Sequence, residues 1–413
     1  MEQETFKWFA GVDWGSEKHQ VCILDAAGLI AGEHEFSHDG RGLAQLCDWI
    51  VSVVDDVGLV AVGVEVPHGP VVDALLDRGL AVHAINPKQL DRLRDRFSVA
   101  GAKDDRRDAY VAADGLRTDR HVFRRLQVSD PRIIELRTWS RLAEELQQDR
   151  VRLGNRLHEQ LWRYYPQMLD LTDDIAAEWF LDLWTMAPVP SKANHLRHSS
   201  IDRLLKRYRI RRITAEAVLL ALRQPAIKVA DGVANAACGS IRSLIARLRV
   251  INHELRSTIY KLDGICADLD RSPLDGNCGD SKLNDIAILK SIPGIGRINL
   301  ATLLAEASGP LSRRDYQALR TLSGVAPVTK QSGKSRVVVR RYAAHARLGN
   351  AVYHWARVAI QHDPKSRSRY ATLRHRGHPH GRAIRGVADR LLALACTLLE
   401  RQAPFDPHFG EVG

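Results

Sequence analysis

Leu59-Val60-Ala61-Val62-Gly63-Val64-Glu65 is an apolar run that ends in an acid, and Phe9-Ala10-Gly11-Val12-Asp13 has the same form. Short apolar runs with turn residues beyond them read as buried strands. Working outward, Gln20 to Asp25 reads as a further strand, and Ala26-Ala27-Gly28 is turn-like. Leu43 to Val54 and Val71 to Arg78 have helical spacing, and Ala81 to Ile85 is another strand before Asn86-Pro87. Strands alternating with helices predict an α/β layer with a largely buried sheet up to about residue 115.

Beyond that the texture changes to long helices. Ser129-Asp130-Pro131 is a helix start, a capping side chain followed by proline in the first turn. Trp139, Leu142, Leu146, Leu153, Leu157, Leu161 and Tyr164 then recur at steps of three, four or seven. Ile241, Leu244, Leu248, Leu255, Ile259, Leu262 and Leu269 form a second stripe. Such stripes suit an antiparallel coiled coil, an oligomer interface, or two helices packed in a bundle. Residues 166–235 read as irregular helix, and 271–284 as a linker-like boundary. Ile288 to Gly296, containing Pro293-Gly294-Ile295-Gly296, then leads into a helix to about Ala307, a pattern resembling a helix-hairpin-helix. The amides at Gly294 and Gly296 and the following helix N-terminus suit a DNA phosphate; a plain helical hairpin is the alternative. The last helix, around Ile384 to Arg401, closes the domain. The expected segments are therefore 1–120, 121–284 and 285–405.

Composition excludes several classes. With 45% hydrophobic and 26% charged residues, the chain is globular rather than disordered. No apolar run reaches the roughly 18 residues of a membrane span. The opening Met1-Glu2-Gln3-Glu4 lacks a signal-peptide pattern, and six scattered cysteines show no zinc spacing, so a reduced cytoplasm is expected. The formal charge of +11 is uneven: residues 331–390 carry 14 Lys and Arg against Asp363 and Asp389. That block accounts for all of the net positive charge and suggests a surface facing a polyanion.

Asp13 and Glu65 each end a strand, and Asp105 and Asp108 lie three apart at a helix start, hence on one face. Carboxylates converging from such positions select Mg2+ or Mn2+ and suit phosphodiester chemistry. The plainer alternative is that Asp105 and Asp108 pair with Arg106 and Arg107 or favour the helix N-terminus.

These motifs in order, with Glu65-Val66-Pro67-His68-Gly69, Asn86-Pro87 and Lys103-Asp104-Asp105-Arg106-Arg107-Asp108-Ala109, resemble the bacterial insertion-sequence family one-hundred-ten of transposases. Ser291 to Gly296 and Leu322-Ser323-Gly324-Val325-Ala326-Pro327 extend the resemblance to the C-terminal part. It implies an N-terminal RuvC-like (RNase H-like) domain with a DEDD acid set on Asp13, Glu65, Asp105 and Asp108, a coiled coil, and a mostly α transposase domain. Asp104 stands where relatives often carry Thr, leaving Asp104 or Asp105 as the ligand. Gln331-Ser332-Gly333-Lys334-Ser335-Arg336 matches the family's nucleophilic serine at Ser332, with Ser335 as the fallback. Lys334, Arg336, Arg340 and Arg341 would hold phosphates. The resemblance further implies a composite site completed by homo-oligomerisation, donor and target double-stranded DNA as substrates, and a non-coding guide RNA. The rival readings are a metal-dependent, junction-resolving nuclease in which water attacks, and a non-catalytic nucleic-acid-binding protein.

Overall fold

The computed structural model describes residues 5–97, 104–126, 130–230, 232–271, 285–333 and 335–407. The chain divides into two compact units, 1–129 and 130–413. The first is built on β1 (Trp8–Trp14), β2 (Lys18–Asp25), β3 (Ile30–Ser37), β4 (Val60–Val64), β5 (Ala81–Ala84) and β6 (Arg124–Arg125). The sheet order is β3-β2-β1-β4-β5-β6. β1, β4 and β5 run parallel, whereas β2, β3 and β6 run antiparallel to their neighbours.

Strand alternation divides the side chains between two helical layers. Val12, Val60, Val62 and Val64 pack with Leu46 and Ile50 of α1 (Gly40–Val53) and with Val71 and Leu75 of α2 (Pro70–Asp77). On the opposite face, Phe9, Ala61 and Ile85 pack with Leu90 and Leu93 of α3 (Pro87–Arg94) and with Val111 and Leu116 of α4 (Asp105–Asp119). The α/β layer expected from the sequence is therefore present. Three elements were not legible, β3, α3 and the two-residue β6. β3 is an edge strand exposed along most of its length, and α3 carries only Leu90 and Leu93 as apolar residues.

Among its described residues the second unit is helical apart from one hairpin. Its frame is α5 (Pro131–Tyr164), which begins as expected with Asp130 capping the amide of Arg132, followed much later by α10 (Val233–Arg271). Ser129 lies outside the described residues. The helices α6 (Glu178–Met186), α7 (Pro190–Ala193), α8 (His198–Arg207) and α9 (Ala215–Leu222) lie between them in sequence. Leu153, Leu157, Leu161 and Tyr164 of α5 share one core with Ile241, Leu244 and Leu248 of α10. Ile133 and Leu136 share another core with Leu262, Cys266 and Leu269. The start of one helix thus meets the end of the other, so the two are antiparallel; these residues toward the helix ends are buried within this chain, while Leu142, Leu146 and Ile259 between them are half-buried. The segment that read as irregular fills the first of these cores. Trp179, Phe180 and Trp184 are buried there, and the Trp184 indole donates to the Tyr164 hydroxyl at 2.9 Å.

The other core continues into α11 (Asp285–Ser291), α12 (Arg297–Glu306), α13 (Ser308–Ser312) and α14 (Tyr316–Leu322). After the hairpin β7 (Val328–Ser332) and β8 (Ser335–Val339) come α15 (Ala346–His362), α16 (Pro364–His375) and α17 (His380–Arg401). α17 buries Ile384, Val387, Leu391 and Leu398 and closes this core, as expected of the last helix. The linker reading of 271–284 and Cys278 fall almost wholly outside the described residues. The five described cysteines are free and buried. Among the described residues no helix is long and apolar enough to cross a membrane.

Candidate functional site

Asp13 and Glu65 are positioned by the register of two parallel strands. Gly11 pairs with Gly63 and Val12 with Val64, so the two acids follow side by side. Alternation puts them on the same face as Gly11 and Gly63, the face covered by α4. There is no room for a side chain at Gly11: a Cβ there would lie 1.9 Å from the Ala109 carbonyl oxygen and 2.6 Å from the Ala113 nitrogen. A Cβ at Gly63 would lie 3.2 Å from the Ala112 oxygen. The paired glycines let the helix backbone rest on the strands. They seat Ala109, Ala112 and Ala113, which follow Asp105 and Asp108 in α4, against the two strands that lead to Asp13 and Glu65. A Gly-x-acid pattern repeated in the two strands is the signal in the sequence for this arrangement.

The four acids have different surroundings. Asp104 is exposed and caps α4, accepting from the Arg106 amide at 3.3 Å. Asp105 is exposed and Asp13 and Glu65 are half-buried. Asp108 is only 2% exposed, and both of its oxygens are taken by Arg94, with Nε donating to Oδ1 at 2.7 Å and Nη2 to Oδ2 at 3.0 Å. The pairing of Asp108 with Arg106 or Arg107 weighed from the sequence is replaced by this contact, and Arg106 pairs instead with Glu33 on β3. Hard oxygen donors from strand ends and a helix start fit a divalent cation chemically. Among the described residues, however, no three Asp, Glu, His or Cys side chains converge as a metal group. Asp13 and Glu65 stand at the ends of neighbouring strands and Asp105 at the start of α4, while the charge of Asp108 is met by a guanidinium.

Ser332 and Ser335 face each other across the end of the β7–β8 hairpin, where the register pairs them directly. Both are exposed. Lys334 lies outside the described residues. No Asp or Glu occurs between Asp315 and Asp363, so the hairpin carries no local carboxylate base. Both faces of the ribbon meet solvent, with Val337 and Val338 each more than half exposed. Arg336 is exposed opposite Gln331. At the hairpin base, Arg340 lies over the Tyr342 ring at 5.5 Å, and Arg341 Nε donates to the Ala326 carbonyl at 3.4 Å. Burial, followed by repulsion from Arg340 and Arg382, holds the Arg385 guanidinium below its ordinary pKa. These arginines form a cationic cluster of the kind that a polyanion relieves. Not all of the basic block faces outward: Arg347 is turned inward onto Glu144 at 2.7 Å and Glu306 at 2.5 Å.

The Pro293-Gly294 turn joins α11 to α12 as expected for a helical hairpin. Gly294 has φ +82°, and a Cβ there would meet the Ala359 nitrogen of α15 at 2.5 Å. The Trp355 indole donates to the Pro293 carbonyl at 3.0 Å, so this turn is packed into its own core. Gly296 is exposed, begins α12 without a side-chain cap and has open space around it.

Residues 10–166 match a family described as the DEDD transposase of IS110, and residues 286–371 match one described as Transposase IS116/IS110/IS902. A protein named as the mini-circle transposase for IS117 of Streptomyces coelicolor is 30% identical over 98% of this chain and 97% of its own length. A protein named as transposase y4uE of Sinorhizobium fredii is 55% identical over 50% of this chain; that match spans 58% of the relative. The IS900 insertion-element protein of Mycobacterium paratuberculosis is 25% identical over 97% of each chain.

Proposed function

The chain belongs to the IS116/IS110/IS902 family of transposases, and from that premise we propose that it cuts and rejoins DNA through a serine–phosphate intermediate to excise and insert its own mobile element. Asp13, Glu65, Asp105 and Asp108 would be the residues to hold Mg2+ or Mn2+, which would supply charge stabilisation to the reacting phosphodiester. The single observation that carries this reading is the register of β1 and β4, Gly11 on Gly63 and Val12 on Val64, which is followed in the two strands by Asp13 and Glu65 where α4 rests on the glycines. Asp104, which caps that helix, leaves Asp105 as the ligand from this pair.

Ser332 supplies the nucleophile. Its Oγ bonds to phosphorus, the bond from phosphorus to one strand oxygen breaks, and the serine proton ends on that released oxygen. The bond count is conserved, so the reverse attack by a strand hydroxyl rejoins DNA without an external energy source. Exposure at the tip of a two-stranded ribbon supports this role, and so does the exposed Arg336 beside Ser335; Arg340 and Arg385 at the base of the ribbon would meet phosphates farther along the DNA. A two-stranded β-ribbon is of a size to enter the major groove of B-DNA. Ser335 is the alternative nucleophile. In this reading residues 1–120 are the RuvC-like domain, 121–284 the long-helix segment, and 285–405 the transposase domain. A non-coding RNA of the element guides target choice, and homo-oligomerisation accompanies activity; both rest on the family resemblance.

The test is strand exchange between donor and target DNA with Mg2+, with and without RNA transcribed from the element's flanks. Asp13→Asn and Glu65→Gln should abolish exchange while the thermal melt is retained. Full exchange by either variant would remove that residue from the reaction.

A further inference from the structure

We infer that the face of the β7–β8 ribbon carrying Ser332 holds an unpaired DNA base, stacked on the exposed ring of Tyr342, a few nucleotides from the phosphate to be cut. The inference rests on the serine reading proposed above and adds a substrate-binding site to it. Strand alternation puts Val328, Lys330 and Ser332 on one face of β7, and the register sets Val339, Val337 and Ser335 opposite them on the same face of β8. At the base of that face lies an open cleft of about 520 Å3, lined by Val328, Lys330, Val339, Arg340 and Tyr342. Tyr342 is 83% exposed, and the Arg340 guanidinium lies 5.5 Å from its ring centroid.

The lining sorts the parts of a nucleotide. Val328, Val339 and the Tyr342 ring suit the planar, largely apolar base, while Lys330 and Arg340 suit its phosphates. In a paired duplex the base faces are covered by their neighbours, so only a base out of the stack can meet the ring. No Asp or Glu occurs between Asp315 and Asp363, so no carboxylate of this stretch repels a polyanion. Arg382 and Arg385 of α17 add positive charge near Arg340. Val328 stands four residues before Ser332 on β7, about 13 Å at the rise of a strand. At about 3.4 Å per stacked nucleotide, that distance spans roughly four nucleotide steps. The occupant is DNA because the same face ends in the serine that a DNA phosphate must reach.

The experiment uses the full chain in EDTA, so that binding is read without cleavage. Fluorescence anisotropy compares a labelled DNA duplex, the same duplex with a short mismatched bubble, that bubble with abasic sites in place of its bases, and single-stranded RNA of the bubble sequence. Wild type should prefer the bubble to the duplex, and the abasic bubble should lose that preference. Tyr342→Ala should weaken bubble binding roughly ten- to hundredfold and leave duplex binding unchanged, whereas Tyr342→Trp should keep the preference. The abasic comparison needs no variant and decides the matter if Tyr342→Ala does not fold. Equal affinities for bubble, abasic bubble and duplex would overturn the inference. So would a loss on Tyr342→Ala that is the same for duplex and bubble. Tyr342-dependent binding of the RNA in preference to the bubble would overturn the assignment to DNA. A Ser332 adduct formed by a protein with no bubble preference would sink this inference alone. A bubble preference that depends on Tyr342, with no adduct on any serine, would sustain the stacking site and sink the serine reading alone.

Discussion

Gly11→Ala perturbs the site without touching a reacting group. The added Cβ would stand 1.9 Å from the Ala109 carbonyl oxygen, against an ordinary contact of about 3.4 Å, and 2.6 Å from the Ala113 nitrogen. Both opposing atoms are helix backbone, so no side-chain rotation relieves the clash. α4 must retreat by about 1.5 Å over β1, or the strand must sink into Val12, Val62 and the layer beneath. Overpacking of this kind costs about 1–3 kcal/mol. Divided by the unfolding entropy of a unit of this size, that lowers the melting temperature by about 3–15 °C. The larger consequence is for Asp105 and Asp108, carried in the first turn of the displaced helix. Misplacing a reacting constellation by about 1 Å costs on the order of a hundredfold in rate. Below its melting temperature, Gly11→Ala should therefore remain folded by circular dichroism yet lose about two orders of magnitude in Mg2+-dependent strand exchange. A variant with wild-type melting and wild-type exchange would refute the claim that the glycines set the height of α4 over the acids.

Asp104→Asn should keep the α4 cap and retain exchange, whereas Asp105→Asn should abolish it with an unchanged melt; the opposite result would exchange their roles. Gly294→Ala combines φ +82° with a 2.5 Å clash against the Ala359 nitrogen, and should lower the melting temperature of the C-terminal core by several degrees. Gly296→Ala, with open space around it, should leave the melt unchanged and serves as the control. Replacing Arg340 and Arg385 with Gln should weaken DNA binding alike for many sequences and flatten the slope of log K against log salt by about two units. An unchanged slope in filter-binding titrations would mean that this cluster does not meet phosphate.

Legibility in the sequence followed burial. β1 and β4 could be read because their central residues are buried on both faces, leaving uninterrupted apolar runs with an acid beyond. β3 could not, since Ile30, Glu33, Glu35 and their neighbours alternate without an apolar face. The long helices were legible from their stripes, but the stripes alone could not say that the partner helix belonged to the same chain. Asp13 and Glu65 were legible as strand ends. Arg94 was not: it is remote from Asp108 in the sequence, and only the packing of α3 on α4 joins them. Arg106 misled because it is adjacent to the acids in sequence, yet its partner Glu33 lies on the unread strand. Arg347 misled in the other direction. It counts toward the basic block, but its charge is met inside by Glu144 and Glu306.

The most direct test of the account is whether a DNA phosphate becomes bonded to Ser332. Wild-type protein incubated with donor and target DNA, element RNA and Mg2+ should give a protein–DNA adduct that survives denaturing electrophoresis. Digestion and mass spectrometry should place the nucleotide on Ser332. Ser332→Ala, which removes one oxygen from an exposed strand end, should melt as wild type and form no adduct. A nucleotide on Ser335 would move the nucleophile across the hairpin. Strand cleavage by Ser332→Ala with no adduct on any serine would contradict the account, because water and the carboxylates alone would then suffice.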